Sequence, residues 1–175
     1  MITERREQRA FEAFVADASG RLMRTAYLLC GDRGHAEDLV QTALFRTARR
    51  WHRARQQPEA YARRVVVNLA KDRWRSLGRR PGEVGVDLET LEALDTRATH
   101  DEGLLERVRL LDAIRRLPSG QQAVLTLRFL ADLSVAETAA TLDCSEGNVK
   151  SQTARALDRI RDVLDHEKEN ADADR

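Results

Sequence analysis

The chain of 175 residues predicts an all-α fold, two small helical domains joined by a flexible acidic linker. Three observations carry that prediction. No stretch sustains period-two alternation, while Ala, Leu, Arg and Glu dominate and apolar residues recur at three-to-four spacing. Gly78, Pro81, Gly82 and Gly85 punctuate the chain where its charge reverses sign. Ser134-Val135-Ala136-Glu137 is a capping box, followed by a short helix, a tight turn and a second cap residue, the pattern of a helix-turn-helix. The expected boundaries are residues 1–80 for the first domain, 81–103 for the linker, 104–167 for the second domain and 168–175 for a disordered tail.

Each element follows in order. Residues 4–30 read as helix, with Ser19-Gly20 as the point where it can break and Gly31-Asp32-Arg33-Gly34 as the turn that ends it. A second helix is expected from about His35 to His52, with Ala36, Val40, Ala43, Leu44, Thr47 and Trp51 on its inner face. Pro58 suits a first helical turn and opens a third helix to about Leu77, burying Tyr61, Ala62, Val65, Val66, Leu69 and Ala70. Val65-Val66-Val67 alone suggests a strand, but its helix-forming flanks decide against one. The linker can extend to about 80 Å at ~3.3 Å per residue. The second domain begins near Leu104, breaks at Leu117-Pro118-Ser119-Gly120 and resumes to about Ala131. Ser134 caps a helix ending at Leu142, and Ser145 caps the last one, which runs to about Asp165 with Val149, Ala156, Leu157, Ile160, Val163 and Leu164 inward.

Charge separates the parts. The formal total is +1, yet residues 1–80 carry +9, residues 81–103 carry −6 and residues 104–175 carry −2. Residues 46–80 hold twelve basic side chains against Glu59 and Asp72, and Arg suits phosphate forks and base stacking better than Lys does. Phe45, Trp51, Tyr61 and Trp74 are interleaved among them, the composition of a nucleic-acid surface, single-stranded above all. The bland alternative is a solvated Arg-rich face. No apolar run approaches a membrane span, so no membrane insertion is expected, and the N-terminus lacks a signal-peptide core. Cys30 and Cys144 lie far apart and the four histidines fall in different segments, so no metal or other cofactor is expected and the cytoplasm is the expected compartment. No nucleophile triad, phosphate loop or carboxylate pair suggests an enzyme.

In the last helix Ser145, Asn148, Lys150, Ser151, Gln152 and Arg155 stay on or near the polar face of the first turns, where a recognition helix meets base edges and phosphates. In the third helix Arg64, Asn68, Lys71 and Arg75 form one polar stripe opposite the core, with Arg63 and Trp74 flanking it. In the second, Asp38, Gln41, Thr42 and Phe45 make a mixed polar–apolar strip away from the core.

Over residues 8–165 the chain resembles the extracytoplasmic-function sigma factors of bacterial RNA polymerase. Ala36-Glu37-Asp38-Leu39-Val40-Gln41 is similar to the core-polymerase-binding segment of conserved region two. Asn68-Leu69-Ala70-Lys71-Asp72 with Arg73-Trp74-Arg75 is similar to the promoter-melting helix, and Leu117-Pro118 through Leu142, then Val149-Lys150-Ser151, to conserved region four. Its Arg- and Ala-rich composition is similar to that of actinobacterial members, the sigma-E type among them. The resemblance implies a non-catalytic specificity subunit that binds core RNA polymerase (the beta-prime clamp and the beta flap) and promoter DNA, and it admits an anti-sigma factor as partner. It assigns Asp38, Gln41, Thr42 and Phe45 to polymerase binding. To the minus-ten element it assigns Trp51, Arg63, Arg64, Asn68, Lys71, Trp74 and Arg75, with the loop from Trp51 to Pro58 as pocket wall. Ser145, Asn148, Lys150, Ser151, Gln152 and Arg155 fall to the minus-thirty-five element. Gln152 and Ala154 depart from the basic or aromatic residues common there. Two rivals stand beside this reading: a stand-alone helix-turn-helix regulator, and a helical adaptor that binds protein alone. The first leaves the Arg-rich helix unexplained, and the second leaves the +9 of residues 1–80 unexplained.

Overall fold

A computed structural model describes residues 2–77 and 104–173, and the expected linker and the last two residues lie outside that description. The described residues are helical, with no strand among them. Residues 2–77, region A, contain α1 (Ile2–Cys30), α2 (Arg33–Arg49), the single turn α3 (Trp51–Ala54) and α4 (Pro58–Leu77). Region B contains α5 (Leu104–Arg115), α6 (Ser119–Leu125), α7 (Val135–Leu142) and α8 (Glu146–Ala173).

α1, α2 and α4 form a three-helix bundle around Ala18, Leu22, Ala26, Tyr27, Ala36, Val40, Ala43, Ala62 and Val66. Small residues dominate that list, which lets the helices approach closely. α1 runs unbroken through Ser19-Gly20, because Ala18 and Leu22 on either side are anchored in the bundle and outweigh the ~1 kcal/mol that an interior glycine costs. Asp32 caps α2 by accepting from the His35 N–H at 2.8 Å. α2 ends at Arg49, three residues before the expected His52, and the chain restarts as α3. Trp51 thereby leaves the α2 stripe and packs on Phe11 and Phe14 of α1, edge-on to Phe11 at 5.2 Å between centroids.

In region B, Ala113, Ile114, Leu117, Leu125, Ala156 and Ile160 form a separate core between α5, α6 and α8. α6 continues as a wider π turn over Thr126–Leu130, where the Ala131 N–H reaches back to Thr126 O. The capping box is complete: the Glu137 N–H donates to Ser134 Oγ and the Ser134 N–H to Glu137 Oε2. Asp143 at φ 56° ends α7, in the left-handed conformation that short polar side chains tolerate. Ser145 Oγ then accepts from the Asn148 N–H at 3.1 Å and starts α8. Leu157 is exposed, because Val149, Ala156 and Ile160 define the buried stripe and Leu157 lies one position, about 100°, around the helix from it. α8 extends to Ala173, past the expected end near Asp165 and through most of the expected tail, since Glu, Lys and Ala there are good helix formers.

The two regions pack against each other. Leu29, Val67 and Ala70 of region A meet Ala123, Val124, Leu127, Leu133, Ala139, Leu142 and Val149 of region B in one continuous apolar cluster. This explains why α4 departs from its expected stripe. Val67 is fully buried, whereas Tyr61, Val65 and Leu69 are half-buried, because α4 is covered on two sides.

Candidate nucleic-acid interface

α2 and α4 lie side by side, and their packing gathers cations that are distant in sequence. The end of α2 supplies Arg46 and Arg49, the residue after it is Arg50, and α4 supplies Tyr61, Arg64 and Asn68, around an open cavity of about 580 Å³. Arg46, Arg49 and Arg50 are exposed, as are Arg64 and Asn68. The Arg49 guanidinium sits over the Phe45 ring at 5.9 Å, so the aromatic edge of the α2 strip adjoins this cavity. Four guanidinium groups around one hollow, with an aromatic ring and a side-chain amide on its wall, suit a phosphate-linked chain whose bases are unstacked. Arg46, Arg49 and Arg50 are absent from the sequence-derived site, although they belong to the most basic stretch. Only the α2–α4 packing brings them to Asn68.

The other α4 residues go elsewhere. Lys71, Trp74 and Arg75 line a groove of about 780 Å³ facing Asn148 and Gln152 of region B. Lys71 Nζ donates to Leu142 O at 3.1 Å, and Arg64 Nη2 donates to Ala140 O, both on α7. Trp74 Nε1 donates to Leu29 O at 3.1 Å, so its ring is part of the packing between regions. Arg75 pairs with Asp72 at 2.6 Å on the surface. Arg63 turns away from the stripe and binds Glu59 at 2.7 Å, with most of its side chain covered. Trp51, tied up on Phe11 and Phe14, is not brought to Asn68.

Glu59 is the hub of a charge network: Arg21 of α1 reaches it at 2.9 Å, Arg63 binds its other oxygen, and Arg21 also holds Asp17 at 2.6 Å. The hydrogen bond from Arg21 holds the Glu59 carboxyl below its ordinary value of 4.5 against the opposing effect of burial. A depressed folded-state value means that the network stabilises the fold fully above that ordinary value, and that this contribution is lost as pH falls through the depressed one. Acid unfolding followed by circular dichroism should therefore shift to higher pH in a chain whose Arg21 is replaced by methionine. An unchanged acid midpoint contradicts the network's role.

On the outer side of the α1–α2 pair, Asp38 and Gln41 border a shallow groove with Met23, Val40 and Leu44. Phe45, one turn on, is 63% exposed, and Thr42 is half-buried. At the start of α8, the cap residue Ser145 and Asn148, Lys150, Ser151 and Arg155 are exposed and Gln152 is half-buried. Lys150, Ser151 and Arg155 thus form an accessible polar face on the first turns of α8. Asn148 and Gln152 border the groove toward α4. No helix among the described residues is long and apolar enough to cross a membrane.

Comparison with known proteins identifies the family of the two regions. The sigma-70 region 2 family matches residues 14–80, and the sigma-70 region 4 family matches residues 107–160. The chain is 37% identical to the RNA polymerase sigma-E factor of Streptomyces coelicolor, over 88% of this chain and 85% of that protein. It is 30% identical to the ECF RNA polymerase sigma-E factor of Escherichia coli, over 88% of this chain and 86% of that one. Among solved structures, the sigma factor RpoE of Bartonella quintana, crystallised with the anti-sigma factor NepR, has a similar fold: TM-score 0.65 at 22% identity, covering 89% of this chain and 96% of that one. Two sigma regions in order, on a bundle with an arginine-lined hollow and a capped helix-turn-helix, place the chain in the sigma-70 family as an extracytoplasmic-function sigma factor, a subunit that directs RNA polymerase to initiate at promoters.

Proposed function

We propose that region A holds the single-stranded minus-ten element in the cavity between α2 and α4, and that region B reads the minus-thirty-five element with the start of α8. The observation that carries this reading is the convergence of Arg46, Arg49, Arg50 and Arg64 on Asn68. Asn68 reads the edge of a base taken out of the stack, and the surrounding guanidinium groups neutralise its flanking phosphates. Lys71 and Arg75 continue the track along α4. Trp51 and Arg63 act indirectly, by holding α3 and the start of α4 in place.

On α8, Lys150 and Arg155 bind phosphates, and Asn148, Ser151 and Gln152 face the bases of the major groove. Ser145 caps the helix and positions it. Asp38, Gln41, Thr42 and Phe45 dock on the polymerase clamp, with Phe45 as the apolar anchor, while region B engages the flap. The protein works in the cytoplasm, beside the polymerase. The anti-sigma factor NepR, named with the Bartonella quintana relative, makes such an inhibitor a candidate partner here.

The test is promoter-directed run-off transcription with purified core polymerase, in parallel with core binding. Asp38→Ala combined with Phe45→Ala should weaken core binding on the order of tenfold or more, the loss expected of an interface anchor, while helicity stays intact. Unchanged core affinity removes the docking face. Asn68→Ala should leave core binding unchanged and lower promoter opening by about tenfold, the worth of one base contact. Equal loss of both indicates misfolding and contradicts the base-reading role.

A further inference from the structure

The seam where the two regions meet opens into the groove of about 780 Å³, which falls within the ~300–1,000 Å³ range of small-molecule sites. Such sites favour the junction of two domains, with an apolar floor and a few polar groups on the rim. The floor here is Ala123, Val124 and Leu142, all buried, and the half-buried ring of Trp74 forms one side. The Trp74 N–H is held by Leu29 O at 3.1 Å, which fixes the plane of the indole before anything binds. An indole fixed in this way is a platform on which a single purine or pyrimidine can stack.

The polar groups of the rim are mostly free. Asn148 and Gln152, one turn apart on α8, border the groove, and neither side-chain amide has a hydrogen-bond partner among the described residues. An amide presents a donor beside an acceptor, the complement of a base edge. Lys71 and Arg75, one turn apart on α4, face them across the groove. Lys71 gives one of its three N–H groups to Leu142 O, and Arg75 binds Asp72 through Nη2, so both cations keep donors for a phosphate. Asp143, the exposed residue that ends α7, also borders the groove, and its carboxylate has no partner among the described residues. A lone carboxylate beside two cations disfavours a polyanion, yet it accepts well from the hydroxyls of a ribose.

We propose that this groove binds a free ribonucleoside 5′-monophosphate: the base stacks on Trp74 and is read by Asn148 and Gln152, Asp143 accepts from the ribose hydroxyls, and Lys71 and Arg75 hold the phosphate. The proposal stands on the groove and does not depend on the minus-ten reading. The arginine hollow between α2 and α4 lacks both the apolar floor and the carboxylate, and suits a phosphate-linked chain instead. A nucleotide in the groove touches both regions at once, so it stabilises the packed chain by mass action.

The test is isothermal titration calorimetry of the full chain with AMP, GMP, CMP and UMP, each beside its 2′-deoxy counterpart. At least one ribonucleotide should bind with a dissociation constant of about 0.1 mM or tighter, the affinity of one stacked ring and a handful of hydrogen bonds. It should bind about tenfold better than its deoxy form, the worth of one hydrogen bond to a charged group. The same ligand should slow the alkylation of Cys144, a half-buried free thiol on the groove wall, and leave Cys30 unaffected, as read by mass spectrometry. Gln152→Ala and Asp143→Asn should each weaken binding about tenfold. Alanine is a good helix former and asparagine tolerates the left-handed conformation at position 143, so both variants should keep the fold.

The absence of saturable binding up to about 1 mM of every ribonucleotide overturns the proposal, and so does equal affinity for the deoxy forms. Binding that survives Gln152→Ala and Asp143→Asn but is lost when Arg46 and Arg49 are both replaced by alanine overturns it too, because the nucleotide then sits in the arginine hollow. Equal protection of Cys144 and Cys30 also contradicts a ligand seated in the groove. Should either variant lose helicity, the protection of Cys144, which needs no substitution, decides the matter.

Discussion

Replacing Arg46 and Arg49 together by alanine should lower the affinity of the assembled polymerase for promoter DNA on the order of 10- to 100-fold, since charge-assisted bonds are worth about 1.5–3 kcal/mol each and these are partly screened. Both side chains are exposed at the end of α2 and line the hollow that Asn68 borders. Neither has an ion-pair partner within the described charge networks, so their removal leaves no buried group bare. The salt dependence separates a DNA contact from a folding defect. Each phosphate contact to a single strand contributes about −0.7 to the slope of log affinity against log salt, so the double variant should flatten that slope by about 1.4. Arg161→Ala, which removes an exposed arginine paired to Asp158 on the far part of α8, should leave the slope unchanged. A double variant with wild-type affinity and slope removes the arginine cavity from the site.

The largest stability effect is expected at Leu127, which is completely buried where the two regions meet. Leu127→Ala removes most of a side chain from a packed interior and should destabilise the fold by about 2–5 kcal/mol, depending on how far the surroundings collapse. Leu157→Ala is the matched control: at 36% exposure its loss should cost well under the Leu127 value, about 1 kcal/mol or less. Urea unfolding read by circular dichroism gives both numbers. Equal midpoints for the two variants would mean that the seam contributes nothing to stability in solution.

Local features were the legible ones. The Ser134–Glu137 box and the Ser145 cap appear in the structure where the sequence places them, because each needs only a few consecutive residues to form. Pro58 opens α4 and Leu142 ends α7 for the same reason. Asn68 was legible as an exposed amide on a helix whose opposite face is apolar. Trp51 was not, since its side chain is placed by an aromatic cluster with Phe11 and Phe14, forty residues earlier. Gly20 shows the opposite error, a local breaker overridden by the packing of Ala18 and Leu22.

The sequence by itself determined the helices, the caps, the division into a basic and a near-neutral region, and the kind of partner that such a charge pattern suits. Those properties arise from residue type and from spacing within a turn or two. The tertiary structure alone decided which cations share a site and which are occupied. Arg46 meets Asn68 through the packing of α2 on α4, and Arg64 and Lys71 meet carbonyls more than seventy residues away. The burial of Val67 likewise follows from the meeting of two surfaces. The side-chain pattern within one helix cannot specify such a meeting, because its energy is shared between residues on both sides of the linker.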